Sequence, residues 1–143
     1  MNILEVFKRL MGEHKEIALA TCREGKPNVR VVNFFYDESK EGVLYFASFA
    51  DNEKVEEFAQ NNNVAFTTIP YEGNAHIRVK DAKVEKSKET IYDVKEGFIK
   101  KIPDYAMTIE QVGAYLVLFE IHFTEAEVTV DFEQSGSIVF NKL

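Results

Sequence analysis

A single cysteine, Cys22, excludes an intrachain disulfide, and with three scattered histidines it supplies no CxxC or HExxH spacing for a closed zinc site. No metal is expected, and a reducing cytoplasmic setting fits a lone thiol. No run reaches the ~18 consecutive apolar residues of a helical membrane span. The opening MNILEVFKRLMGEHKE sets acids inside an amphipathic pattern where a signal peptide carries an apolar core. A soluble, untargeted protein without membrane contact is expected. Basic excess is also missing: the net charge is −7, spread over both halves, which argues against a nucleic-acid partner. The chain has no GxxxxGK[ST] or GxGxxG nucleotide loop, no readable Ser-His-Asp arrangement, no internal repeat and no low-complexity linker. One domain over residues 1–143 is the expected organisation.

What the chain does have is apolar and aromatic. Hydrophobic residues make up 45 % of its 143 positions, and a chain near this length buries ~68–70 % of its unfolded surface. Aromatic residues reach 13 %, all of them Phe (12) or Tyr (6), which favours strands and a large buried or interfacial surface. Ile3, Phe7, Leu10 and Met11 recur at helical spacing and predict an opening helix that stops near Gly12. Short β-branched and aromatic runs follow at 17–22 (IALATC), 29–36 (VRVVNFFY), 43–49 (VLYFASF) and 64–69 (VAFTTI). The first three read as an antiparallel meander.

Between the third and fourth runs, DNEKVEEFAQNNN places Val55, Phe58 and Ala59 on one helical face, with Asp51 or Asn52 as N-cap. Residues 76–85 (HIRVKDAKVE) alternate with a slip at Asp81 that predicts a bulge. Ser87 is placed as the cap of a helix running through Ile99, with Pro103 beyond it. Runs at 113–123 and 126–132 complete the set. The fold class is therefore mostly β (α+β): an antiparallel, closed or nearly closed barrel of six to seven strands with peripheral helices.

The stretch 48–54 (SFADNEK) is the most suggestive for chemistry. A strand gives way to a helix N-terminus there, so a hydroxyl, free backbone N–H groups and a lysine converge on a place for an anion, with phosphate the natural guest. Arg30 on a neighbouring strand adds a second positive group if the register brings it to the same end. Taken singly, Arg30 and Lys54 also read as solvated surface charges. Glu56/Glu57 and Asp37/Glu38 read as solubility charge. Cys22 reads as a small buried hydrophobe, and His14 and His122 as structural histidines.

The succession RVVNFF, LYFASFADNEK leading into a helix with Phe58, VAFTTI and HIRVKDAKVE resembles the pyridoxamine 5′-phosphate oxidase-like family of FMN-binding split barrels. Its small general-stress and nitroimidazole-resistance-type flavoproteins are the nearest likeness, over about residues 10–130. The resemblance implies a split β-barrel whose homodimer holds FMN in grooves at the interface. It implies that Arg30 and Lys54 reach the FMN phosphate. Val31, Val32 and Asn33 would line the isoalloxazine, Tyr45, Phe46, Ala47 and Ser48 would lie under the ring and ribityl chain, and Asn52 would help to hold the phosphate and ribityl. His76, in a place often held by glutamine, would come to the flavin edge from the partner subunit. Glu53 stands where the true oxidases carry an arginine for the phosphate, which implies a weaker or differently held phosphate. The resemblance lacks the family's tryptophan and C-terminal Arg-x-His segment, which points away from vitamin B6 synthesis. The implied activity is that of an FMN-dependent oxidoreductase reducing a small organic acceptor with a nicotinamide donor. The alternative is a split barrel that binds or senses haem, a deazaflavin or flavin without turnover, with His76 or His122 as the haem ligand.

Overall fold

The computed structural model describes residues 2–140. Its architecture is mostly antiparallel β, a single curled sheet with four helices against it. The opening helix α1 (Ile3–Glu13) starts at Asn2, whose side chain accepts from the Glu5 N–H, and runs through Gly12 to end at His14. It buries Phe7, Leu10 and Met11.

Strands β1 (Glu16–Arg23) and β2 (Lys26–Asn33) pair antiparallel across a two-residue turn. Glu24 and Gly25 both take positive φ, 52° and 76°, which is the backbone that a two-residue hairpin turn demands. The predicted run 29–36 is not one strand. It breaks at Phe34, and Phe35–Tyr36 forms a separate short strand, β3. β3 pairs with β4 (Val43–Phe49), and β4 pairs next with β7 (Leu116–Phe123), so the expected three-strand meander does not form.

The path across the sheet is β2-β1-β5-β6-β7-β4-β3, where β5 is Asn63–Thr68 and β6 is His76–Lys86. β8 (Glu125–Thr129) joins β6, and β9 (Ser135–Val139) joins β8. The bulge expected near Asp81 is present: Phe66 faces Val79 and Val64 faces Ala82, so β6 holds one extra residue between those pairs. The strand curls there, and its lower half reaches β7 while its upper half reaches β8.

The curl encloses a core of Phe7, Phe34, Phe46, Phe66, Phe119 and Phe123 with aliphatic partners. A second, smaller cluster lies on the other face of β4 and β7, where Tyr45, Ile91, Phe98, Ile109 and Leu118 pack together. Two short helices supply it, α3 (Lys95–Lys101) and α4 (Tyr105–Val112). Ser87 does not cap a helix: residues 87–94 turn irregularly, and the Ser87 hydroxyl instead bonds Glu120. A helix beginning at Asp104 was not expected, and it proves central to the site below.

Lys101 ties the two layers together. Its ammonium donates to the Met11 carbonyl at the end of α1 (3.0 Å) and to the Phe34 carbonyl at the break between β2 and β3 (3.1 Å). Burial pushes this amine down from 10.5 to about 7. A lysine depressed in the folded state takes up its proton more readily when unfolded, so folding stability rises with pH between about 7 and 10.5. Thermal unfolding across that window is expected to show the rise, and Lys101→Met to remove it.

Gly97 of α3 offers a sharper test of packing. A Cβ there would overlap the outer edge of the Phe35 ring, which is stacked with Tyr45 (18°) and packed at 5.7 Å from Phe98. Gly97→Ala gains helix propensity but forces that ring to move, for a net destabilisation of about 1–2 kcal/mol. The check is a thermal midpoint several degrees lower, with strand content unchanged.

Candidate functional site

Helix α2 (Glu53–Gln60) follows directly from β4 and begins where expected, with the Asn52 side chain accepting from the Lys54 N–H at 3.0 Å. Its inward face differs from the sequence reading. Ala59 is exposed, and Lys54, Glu57 and Phe58 are the buried residues. Phe58 edges against Phe46 and Phe119 in the barrel core. Glu57 is thus no solubility charge. Its carboxylate, 3 % exposed as a residue, accepts from the Thr21 hydroxyl, from Asn28 Nδ2 at 3.1 Å and from Arg30 Nη2 at 3.0 Å.

These bonds fix Arg30. Its other terminal nitrogen donates to Thr21 Oγ1 at 2.8 Å and to the Leu19 carbonyl at 3.3 Å, so the guanidinium on β2 is tied to both β1 and α2. Lys54, one turn before Glu57, has no acidic partner among the described residues although it is 8 % exposed. Burial first, and the neighbouring Arg30 charge second, hold its ammonium below the ordinary lysine value. Two cations beside one carboxylate leave one positive charge uncompensated at the N-terminus of a helix, whose own dipole has the same sign. A place of that kind accepts an anion.

Lys54 and Asn52 border a groove of about 320 Å³. One side is the end of β2, with Val31, Val32 and Asn33, and the floor is the end of β4, with Ala47, Ser48 and Phe49. The far side is α4, with Tyr105, Thr108 and Val112, and Leu116 closes the end. Seven of the eleven residues singled out from the sequence therefore meet in one place. Arg30 sits just behind them, within electrostatic reach of Lys54.

Three do not join the groove by their side chains. Tyr45 is buried in the second cluster, and its hydroxyl accepts from Lys40 Nζ at 2.9 Å. Phe46 points the opposite way from Ala47, as neighbours on a strand must, and stacks on Phe119 in the barrel core with centroids 5.4 Å apart. His76 lies at the start of β6 opposite Thr129, with its Nδ1 held 2.6 Å from the Asn74 carbonyl. Asn33 borders the groove, yet its amide donates to the Lys15 carbonyl at 3.3 Å.

The residues that sequence reasoning missed are those of α4. Tyr105 stacks on Phe98 at 4.8 Å and 16°, and burial raises its phenol above the ordinary value. Pro103-Asp104 followed by apolar residues at 105, 109 and 112 is a helix-start signal that could have found it.

Comparison with known proteins gives the same arrangement a wider setting. A family model described as pyridoxamine 5′-phosphate oxidase-like matches residues 10–135. No curated protein matches the sequence. Among solved structures, a NimC/NimA family protein from Clostridium acetobutylicum is 18 % identical with a TM-score of 0.69, over 94 % of this chain and 90 % of that one. A FAD-binding protein from Mesorhizobium loti is 19 % identical with a TM-score of 0.63, over 96 % and 94 %. A haem-binding protein from Mycobacterium smegmatis is 11 % identical with a TM-score of 0.75; the match covers 97 % of this chain but 58 % of that longer one. At such identities the likeness is one of fold.

The Glu57 network makes a testable statement about stability. Burial alone would raise the carboxyl, but the bonds from Thr21 and Asn28 and the charge of Arg30 outweigh it and hold Glu57 below the usual carboxylate value. A depressed carboxyl stabilises the fold above its unfolded value and loses that contribution as pH falls through its folded one. Glu57→Gln is expected to cost about 2–3 kcal/mol at neutral pH, the worth of hydrogen bonds to a charged acceptor. In urea unfolding the gap between the two proteins should close in acid, where the native carboxyl is protonated too.

Proposed function

This chain belongs to the pyridoxamine 5′-phosphate oxidase-like family, and from that premise we propose that it is a flavoprotein binding FMN non-covalently in the groove between β2, β4, α2 and α4. The observation that carries the reading is Lys54: a buried ammonium without an acidic partner among the described residues, beside Arg30, at a helix N-terminus opening on the groove. A phosphate monoester supplies the missing negative charge and restores the lysine toward its ordinary value. Asn52 fixes the first turn of α2, and Ser48 lies at the end of the same wall. Ala47 is small and faces the groove, which leaves room for a flat ring to approach the strand, while Val31 and Tyr105 give it apolar and aromatic edges. Bound there, the flavin would supply hydride transfer between a nicotinamide donor and a small organic acceptor. The chain's part is to bind, to orient and to keep water from one face of the ring.

The site as built by one chain is open on one side, and a second copy is proposed to complete it. β2 is an edge strand, with Val29 63 % and Val31 54 % exposed. Next to it, Ala18, Ala20, Ala65 and Val79 border a shallow, nearly apolar depression on the outer sheet face. A homodimer across this face would cover it and carry His76 toward the partner's groove, with Nε2 free because Nδ1 is held by Asn74. A cytoplasmic setting suits the free Cys22.

A second reading, haem in place of flavin, draws on the likeness to the haem-binding protein. It would use His76, since His122 Nε2 lies between the carboxylates of Glu85 and Glu120.

Absorbance of the purified protein with added FMN separates these readings. Flavin bands that bleach with NADH or NADPH are expected. A Soret band would favour haem, and an absence of both would overturn the flavin site. Lys54→Ala is expected to weaken FMN binding by more than about tenfold, since a charge-assisted phosphate contact is lost; an unchanged Kd would remove Lys54 from the site.

A further inference from the structure

Glu120 and His122 lie two residues apart on β7 and project from the same face of the sheet. Glu85 of β6 stands directly opposite Glu120 in the ladder. The register thus brings together three groups that no sequence spacing announces. His122 Nε2 is 2.8 Å from Glu120 Oε1 and 3.0 Å from Glu85 Oε1, and the three polar atoms lie within 4.8 Å of one another.

This trio is electrically incomplete. One ring nitrogen carries at most one hydrogen and cannot serve two carboxylates with two straight bonds. Among the described residues neither glutamate is paired with a lysine or arginine. Lys83, opposite His122 in the ladder, is engaged with Asn63, and Lys40 with the Tyr45 hydroxyl and Glu89. Two negative charges therefore face one another with at most a single protonated ring between them.

We propose that His122, Glu120 and Glu85 bind one divalent transition-metal cation of the zinc, cobalt or manganese type. A doubly charged ion in place of the shared proton neutralises both carboxylates and takes the ring as a neutral ligand. Bonds of ~2.0–2.2 Å to nitrogen and oxygen set adjacent ligand atoms roughly 3.0–3.5 Å apart, close to the 2.8 and 3.0 Å that His122 keeps from the two glutamates. One nitrogen with two carboxylate oxygens suits these metals better than calcium, which takes oxygens alone, or copper(I), which prefers sulfur. The second oxygen of Glu120 accepts from Ser87 Oγ at 2.6 Å, an outer bond that sets the direction of a ligating carboxylate.

Three protein ligands leave coordination positions open. Glu85, the exposed member, also borders a mostly apolar groove of about 320 Å³ with Val55, Phe58, Val84, Val117 and Phe119. A metal-bound water or small donor molecule would stand at its mouth. None of these residues borders the groove under α4, so the metal site does not rest on the flavin reading.

The test is titration of chelator-treated protein with Co²⁺, followed by visible absorption, and with Zn²⁺, followed by calorimetry. One ion per chain is expected. Binding should weaken by at least about tenfold in Glu120→Gln and in His122→Gln. It should persist in Cys22→Ser and His76→Gln, which remove competing donors. Circular dichroism checks that each variant folds. If His122→Gln does not, Mn²⁺ broadening of the His122 ring resonance in the unaltered protein reads the same contact. Absence of saturable binding, or binding untouched by both substitutions, would overturn the site and leave the trio as a histidine-centred ion pair.

Discussion

The buried carboxylate of Glu57 is the constraint on which the candidate site depends. A carboxylate withdrawn from water must be paired and hydrogen-bonded or protonated, because its desolvation is otherwise too costly. Here Thr21, Asn28 and Arg30 answer it from two adjacent strands. The same bonds therefore pin α2 against β1 and β2, hold the Arg30 guanidinium in one orientation and set the helix N-terminus beside the end of β4. Lys54 follows from this placement. It lies on the buried face one turn earlier, where the buried carboxylate of Glu57 has already been taken by Arg30. The uncompensated charge in the groove is thus a consequence of how the helix is anchored.

The position of α4 is a second consequence, carried through β4. Side chains alternate along that strand, so Leu44 and Phe46 fill the barrel while Tyr45 and Ala47 face outward. The outward row would be bare sheet without cover. α3 and α4 supply it, with Phe98 stacked on Tyr105 and packed against Phe35. Past Tyr45 the row continues with Ala47, whose small side chain leaves a gap to α4, and Phe49 beyond it borders the same groove. One small residue on an aromatic strand decides where a ligand can enter.

Strands and their spacing were legible in the sequence because periodicity and β-branched runs are local signals. The run 43–49 is a strand from end to end, Asn52 caps α2, and the slip at Asp81 marks a real bulge. What failed was pairing and partner choice. VRVVNFFY has the composition of one strand, yet it breaks at Phe34, where the ring enters the core and the carbonyl is held by Lys101 from 67 residues away. Glu57 looked like surface charge because nothing in EKVEEFAQ says which acid faces inward; that is decided by Thr21, Asn28 and Arg30, all remote in the chain. The groove-lining residues on β2, β4 and α2 were legible through a family resemblance and a cap signal. Those on α4 were announced only by the Pro103-Asp104 start signal and an apolar spacing that lasts eight residues.

Charge placement gives the last step. The chain is acidic, with a net charge of −7, so a phosphate would be repelled by the molecule as a whole and would have to be held by local groups. Glu53 and Glu56 sharpen the problem, since both occupy the first turn of α2 where an anion would approach. Glu56 lies near Arg23 and Glu53 is exposed, so water and salt screen both carboxylates. Lys54 and Arg30 are largely withdrawn from water, and their field reaches the groove with far less screening. Burial therefore decides the sign of the potential that a ligand meets: the exposed acids set the charge of the surface, and the buried cations set the charge of the site.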